Sequence, residues 1–249
     1  MSDLIKTLAL VLHSIRWKES SKIVTLYTRE RGIIKVIARG VYRPKNPFAG
    51  LLESLNLLEI VISSRSTRAL QILTQADLID PFNALRLDMN RLPYALAILE
   101  LLDQTMAEDH GDALFFDFSQ NILRAMQEGR QPILILLYFL LKLTSYLGFK
   151  PNFGQCSMCA TTRFSSHAFF SLEKGSVYCS DCAAGAAMMQ KLSADQVQQL
   201  AGLQKYPHHK IAEFTSPLLG DPAFIVFLLE YLNFHMDKSI TLRSLSMIT

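Results

Sequence analysis

Several residue types are scarce in this chain. Among its 249 residues there are one tryptophan, four cysteines, nine prolines and eleven glycines, and only 19% are charged. So little glycine and proline excludes fibrous and low-complexity chains, and a half-hydrophobic composition excludes disorder throughout. The longest uncharged apolar run, Ile133 to Leu141, stops at Lys142, well short of the roughly 20 residues that a membrane-spanning helix needs. Met1-Ser2-Asp3 begins neither a basic segment nor the apolar stretch of a secretory signal. The expectation is a soluble cytoplasmic protein with no membrane partner.

Catalytic signatures are missing as well. There is no phosphate-binding G-x-x-x-x-G-K-[ST], no G-x-G-x-x-G, no H-E-x-x-H and no G-x-S-x-G. The histidines (His13, His110, His167, His208, His209, His235) form no metal or catalytic motif, and His208-His209 reads as a surface loop after Pro207. The acidic run Glu108-Asp109-His110-Gly111-Asp112 reads as a turn between two helices. A metal-dependent nuclease would need an acidic cluster within the basic segment, and there is none. The chain reads as non-enzymatic.

Charge is unevenly spread. Residues 1–50 carry ten Lys and Arg against Asp3, Glu19 and Glu30, a net of +7, while the remaining 199 residues net −4. A basic segment on a mildly acidic body suggests a polyanionic partner for one face.

From Leu4 to about Asp80 the apolar period is near two. Thr7–Leu12, Lys22–Thr28, Gly32–Gly40, Leu55–Ser64 and Arg68–Thr74 are five short runs, with Ile34, Val36 and Ala38 sharing one face. Arg31-Gly32 fits a tight hairpin turn, and Val41–Glu53 an irregular connection. Five strands with one long connection match a small closed β-barrel, an SH3-like barrel being the alternative. At Asp80-Pro81, and again at Asp221-Pro222, an acid before proline predicts a helix start. Helical stripes follow through Leu92–Met106, Phe115–Met126, the almost wholly apolar Pro132–Leu147 and Ala223–Met236, and Ser193–Gln196 is a capping box. The fold class is therefore α+β with two domains, 1–80 and 81–249.

One segment interrupts the helices, 154–184, and it holds every cysteine: Cys156-x2-Cys159, nineteen residues, then Cys179-x2-Cys182. Each knuckle sets two thiolates on one side of a tight turn, and two knuckles close a tetrahedral shell, so Zn2+ is expected. Four protein ligands leave no open position, which makes the role structural. Phe164, Phe169, Phe170, Gly175 and Tyr178 between the knuckles suggest a β-ribbon.

On the third strand Lys35 and Arg39 face away from Ile34, Val36 and Ala38, and the loop beyond supplies Arg43 and Lys45. Arg16 and Lys18 flank Trp17 after the first strand. Cations near Trp17, Tyr27 and Tyr42 supply what single-stranded nucleic acid requires, phosphate neutralisation and π-faces. Lys35, Arg39, Arg43 and Lys45 are the principal candidate DNA contacts, with Arg16 and Lys18 at their flank. A charged, solvated barrel surface with its aromatics in the core is the plainer alternative.

Taken together, Val11-Leu12, Glu19–Thr28, Gly32, Ala38–Lys45, the lead-in Leu147-Gly148-Phe149-x-Pro151 and the two knuckles resemble the RecO family of bacterial DNA repair proteins along essentially the whole chain. The chain departs from the family pattern at Asn46, where serine is usual, and at Ala160, where glycine commonly follows the first knuckle. The resemblance implies an N-terminal OB-type barrel on a helical domain. It also implies a recombination mediator that binds single- and double-stranded DNA, anneals complementary strands without ATP and, with RecR, assists RecA loading onto DNA covered by single-strand-binding protein (SSB). By the same analogy the tail of SSB docks on the helical domain, with Arg124 and Arg130 as candidate contacts. A zinc-ribbon DNA-binding regulator or protein adaptor without annealing activity is the alternative from another class.

Overall fold

In the computed structural model, which describes residues 3–65, 70–183 and 189–248, the alternating runs become five strands. These are β1 (Asp3–Trp17), β2 (Ser21–Thr28), β3 (Gly32–Ala38), β4 (Leu57–Ser64) and β5 (Gln71–Asp80). Arg68 and Ala69, expected to open the fifth strand, lie outside the described residues. The strands close into a barrel in the order β1-β2-β3-β5-β4. All neighbours are antiparallel except β3 and β5, which run parallel at Val36↔Gln71 and Ile37↔Ile72. Alternate residues fill the interior: Ala9 and Val11 from β1, Val24 and Leu26 from β2, Ile34, Val36 and Ala38 from β3, Leu58, Ile60 and Ile62 from β4. In β1 a bulge between Val11 and His13 shifts the register, and Leu10 and Leu12 on its other face are buried as well.

The irregular connection does more than link strands. Val41, Phe48 and Leu52 are buried in the same apolar cluster as the strand residues, so the loop packs onto the barrel interior with its polar residues outside. The β2–β3 hairpin turns over three residues, Arg29 to Arg31, rather than at Arg31-Gly32 alone. Gly32 takes a positive φ of 63° and pairs with Thr28. A Cβ on Gly32 would strike the carbonyl oxygens of Ala107 and His110, and one on Gly111 would strike the backbone of Glu30 and Arg31. Two backbones meet there, joined by Ile33 N–H to Ala107 O (3.1 Å) and Asp109 N–H to Ile33 O (3.2 Å). The acidic turn 108–112 thus docks on the hairpin.

Asp80 does not cap a helix as expected. Its carboxylate accepts from Phe82 N–H at 2.9 Å, and only a single turn follows, α1 (Asn83–Arg86), with Phe82 in the left-handed region. The long helices are α2 (Leu92–Thr105), α3 (Ala113–Glu128), α4 (Pro132–Tyr146), α5 (Ala194–Lys205) and α6 (Ala223–Met236). Asp221 accepts from Ala223 N–H at 2.8 Å and opens α6 as expected. The capping box forms at α5: Gln196 N–H donates to Ser193 Oγ, and Ser193 N–H donates to Gln196 Oε1. Among the described residues no helix is long and apolar enough to cross a membrane.

By contacts the chain divides into two compact units, 1–127 with 242–249, and 128–241. In the first, the 3-10 turn Arg243–Ile248 packs on α2, and Ser244 donates from N–H and Oγ to the Glu100 carboxylate at 3.1 and 3.2 Å. In the second, α4 is buried nearly all round, because an almost wholly apolar helix leaves no face that water can solvate well. In the same unit the expected ribbon is a three-stranded antiparallel sheet, β6 (His167–Ser171), β7 (Ser176–Cys179) and β8 (Met189–Ser193), ordered β7-β6-β8. Phe170 of β6 stacks on Phe153 and meets Phe227 and Tyr231 of α6 edge-on, a cluster that anchors the sheet.

Candidate nucleic-acid interface and metal centre

The end of β1, the turn into β2 and the loop after β3 come together on one face of the barrel. They enclose a groove of about 500 Å3. Trp17, Lys18, Ser20 and Ser21 line one side, and Ile37, Arg39, Gly40, Arg43 and Asn46 the other. The two sides are tied by Tyr42 N–H to Ser20 O (3.4 Å) and by Arg16, whose guanidinium lies 5.0 Å from the centre of the Tyr42 ring. Lys45 is exposed on the same loop. Lys18, Arg39 and Arg43 therefore converge, with Arg16 and Lys45 close in sequence to the groove's lining residues. Lys35 does not line it; its Nζ lies 3.0 Å from Glu108.

Asn46 was not among the residues that charge and aromaticity singled out, yet it shapes the loop. Its Nδ2 donates to Arg39 O at 3.3 Å and its Oδ1 accepts from Phe48 N–H at 2.8 Å, a bridge that a serine hydroxyl is too short to span in the same way. Arg86 was missed too. Its guanidinium donates to Pro81 O (2.9 Å), Asn56 Oδ1 (2.7 Å) and Ser54 O, while Asn56 Nδ2 donates to Leu51 O (2.8 Å). Burial lowers the Arg86 pKa from its usual value. No local pattern announces a contact that spans thirty residues.

The ten cations of residues 1–50 divide into two groups. Lys6 pairs with Glu59, Lys22 with Glu53, Arg29 with Asp117, Arg31 with Asp109 and Lys35 with Glu108. Arg29 grips Asp117 with two bonds of 2.9 and 2.8 Å, and this guanidinium holds the Asp117 carboxyl below the usual carboxylate range. Among the described residues, Arg16, Lys18, Arg39, Arg43 and Lys45 form no ion pair. All five are exposed, Arg16 lying over the Tyr42 ring and donating to Glu19 O at 3.2 Å.

Of the three aromatic candidates, Trp17 is 42% and Tyr42 47% exposed, but Tyr27 is 1% exposed and packs on Phe116 at 5.3 Å. Tyr27 sits on the face of β2 opposite Val24 and Leu26, where Phe116 of α3 covers it, and it offers no face to a ligand. Arg124, in the first unit, lies 3.7 Å from Asp80 and donates to Asn121; Arg130, in the second, is exposed.

In the second unit the four cysteine Sγ atoms all lie within 4.8 Å of one another, with Cys159 and Cys179 3.7 Å apart. Tetrahedral Zn–S bonds of 2.3 Å put sulfurs about 3.8 Å apart, so the donor set fits one such ion. Burial raises the Cys156 thiol, but backbone N–H groups of Cys159, Cys179 and Met158 outweigh it and bring it down to about 6. Cys182, beside the Cys179 and Cys159 sulfurs, is pushed up to about 12. Four sulfurs gathered this closely are a cage for a cation. Ala160, at the end of the first knuckle, has φ +58° and donates its N–H to Cys156 O, a left-handed conformation that favours glycine.

Two family models cover the chain: "Recombination protein O N terminal" matches residues 1–82 and "Recombination protein O C terminal" residues 86–242. Similar curated proteins carry one name, "DNA repair protein RecO". The protein from Desulforamulus reducens is 27% identical over 234 residues, 93% of this chain and 90% of its own length. That from Exiguobacterium sibiricum is 33% identical over 174 residues, 70% of this chain and 68% of its own. That from Chlorobium limicola is 26% identical, with 98% of this chain and 97% of its own length covered.

Proposed function

Since the chain belongs to the RecO family, with a role in DNA repair and recombination, we propose that its barrel groove is the DNA-binding site of a recombination mediator. The observation that carries this reading is the set of five cations, Arg16, Lys18, Arg39, Arg43 and Lys45, that form no ion pair among the described residues and lie at and beside one groove. Strand order 1-2-3-5-4 with a parallel β3–β5 pair supports an OB-type barrel, whose strand 2–3 face and adjoining loops bind oligonucleotides. Bringing two strands together opposes their charge; cations that neutralise both backbones lower that repulsion, and the bases then pair unaided. Annealing on this account needs neither nucleotide hydrolysis nor a catalytic group. The protein binds single and double strands through their phosphates and, with RecR, assists RecA loading onto SSB-coated DNA. Arg124 and Arg130 remain the candidates for the SSB tail. Cys156, Cys159, Cys179 and Cys182 hold one structural zinc ion, which when bound cross-links the two knuckles.

The test is annealing of complementary oligonucleotides precoated with SSB, without ATP. Wild type is expected to anneal them, and Arg39→Ala/Arg43→Ala/Lys45→Ala to lose most of that activity while melting as before. Equal annealing by both places the site elsewhere. Annealing by neither, even on bare DNA, favours the zinc-ribbon regulator.

A further inference from the structure

The groove has two kinds of wall. Lys18, Arg39 and Arg43 are cationic and unpaired among the described residues, whereas Trp17 and Ile37 present an aromatic and an aliphatic surface. Cations alone would suit the outside of a duplex, whose phosphates are exposed and whose bases are stacked away from a protein surface. A concave site with an apolar wall suits a ligand that offers an uncovered π-face within one bond chain of a phosphate. A single strand does so; an intact duplex does not.

We infer that the groove holds one unstacked nucleotide of a single strand, its base against Trp17 and Ile37 and its phosphate against Arg39 and Arg43, and that pairing with a complementary strand withdraws the base from it. The inference rests on the DNA-binding reading above and makes it specific to strand state. A volume of about 500 Å3 suits a nucleotide rather than a run of them. The polar groups that remain explain tolerance of any base. Asn46 has already committed its amide oxygen to Phe48 N–H and its amide nitrogen to Arg39 O. Ser20 and Ser21 carry hydroxyls, which donate or accept equally well. Stacking is likewise indifferent to base identity. When a complementary strand arrives, the base must leave Trp17 to form its pair. The duplex then keeps only the phosphate contacts and is held less tightly than either strand, so the annealed product is released.

Trp17 is the only tryptophan in the chain, so its fluorescence reports on this groove alone. The 249-residue protein is titrated at fixed salt with a deoxythymidine oligonucleotide, then with the complementary deoxyadenosine strand, and separately with the preformed duplex. Quenching by the single strand and recovery on adding the complement are expected. Trp17→Ala should weaken single-strand binding about five- to a hundredfold, the range measured for loss of one stacked base, and leave duplex binding within about twofold. Trp17→Phe, which keeps a π-face, should recover most of the loss. Trp17 is half-exposed, so a melting curve close to wild type is expected of both variants. Equal weakening of single strand and duplex, no weakening of either, or quenching that persists in the duplex overturns the inference while leaving DNA binding intact. Failure of the wild type to bind either form at low salt overturns the DNA-binding reading itself and this inference with it.

Discussion

Two sides of the same barrel carry similar numbers of cations and use them differently. At the β2–β3 hairpin, Arg29, Arg31 and Lys35 each meet an acid from α3 or from the turn before it, at 2.8, 3.1 and 3.0 Å. The backbones of that turn and the hairpin touch at Gly32 and Gly111, which keeps the acids in place. Around the groove, Lys18, Arg39 and Arg43 are exposed and form no ion pair among the described residues, and Trp17 lines the groove with them. A net charge of +7 over residues 1–50 therefore overstates the surface available to a polyanion. About half of the cations are engaged with carboxylates of the same unit, and the position of the rest defines the site.

The contrast would break most visibly if DNA affinity depended on the cysteine segment instead of the groove. Removing a metal ion from Cys156, Cys159, Cys179 and Cys182 has the largest expected effect on the molecule, since zinc binding at such sites is worth on the order of 10–16 kcal/mol, much of it expressed in folding. Chelation, followed by circular dichroism and by DNA titration, should lower the melting temperature of the second unit strongly. The slope of log K against log salt should stay where it was. A slope that collapses with the metal would assign the phosphate contacts to the wrong unit.

Within the barrel, the salt slope distinguishes the two groups of cations directly. Each phosphate contact contributes about 0.9 to the slope on duplex and about 0.7 on single strands. Arg39→Ala and Arg43→Ala should each flatten it by about that amount and lower affinity several-fold at moderate salt. Lys35→Ala should change it by clearly less, because Glu108 already neutralises that ammonium. Equal effects at Lys35 and Arg43 would show that the Glu108 pair opens to admit DNA.

The paired side should reveal itself in stability instead. Arg29 holds the Asp117 carboxyl below its usual value through two hydrogen bonds and its charge. A carboxyl whose native pKa lies below the unfolded one stabilises the fold fully above about pH 4 and loses that contribution as pH falls through the native value. Both side chains are over one-third exposed, so screening keeps the effect modest. Melting temperatures measured from pH 7 downward should show Asp117→Asn below wild type near neutrality, with the gap closing toward acid. Its DNA salt slope should not move. A gap that widens at low pH would mean that the pair is not what holds the hairpin to α3.

Much of this was legible residue by residue. Ile34, Val36 and Ala38 announced the inner face of β3, Ser193 and Gln196 announced the start of α5, and two C-x2-C knuckles announced the cysteine cage, because each signal is local. What escaped the sequence was long-range. Tyr27 has the chemistry of a stacking platform and lies on the outer face of β2, away from Val24 and Leu26, but Phe116 of the distant α3 packs over it. Lys35 looks as available as Arg39 until the chain returns with Glu108, 73 residues later. Val41, Phe48 and Leu52 lie in a stretch without period, so nothing marked them as barrel core. Strand β8 was absent from the reading because a five-residue run with Gln190 and Lys191 shows no alternation of its own; it exists through pairing with β6.

The smallest effect concerns one methyl group. Ala160 adopts φ +58°, a left-handed conformation that places Cβ against the following carbonyl and is unfavourable by about 1–2 kcal/mol for a residue other than glycine. The turn needs that conformation, because Ala160 N–H returns to Cys156 O at 3.0 Å and closes the first knuckle. Glycine would relieve the contact but has more freedom to lose on folding, by about 0.4–1 kcal/mol, so the two terms partly cancel. Ala160→Gly is therefore expected to stabilise the second unit by about 0 to 1.5 kcal/mol, and to leave DNA binding untouched. Thermal melting of the metal-loaded protein checks it. A destabilised Ala160→Gly variant would show that the methyl group makes contacts worth more than the strain it causes.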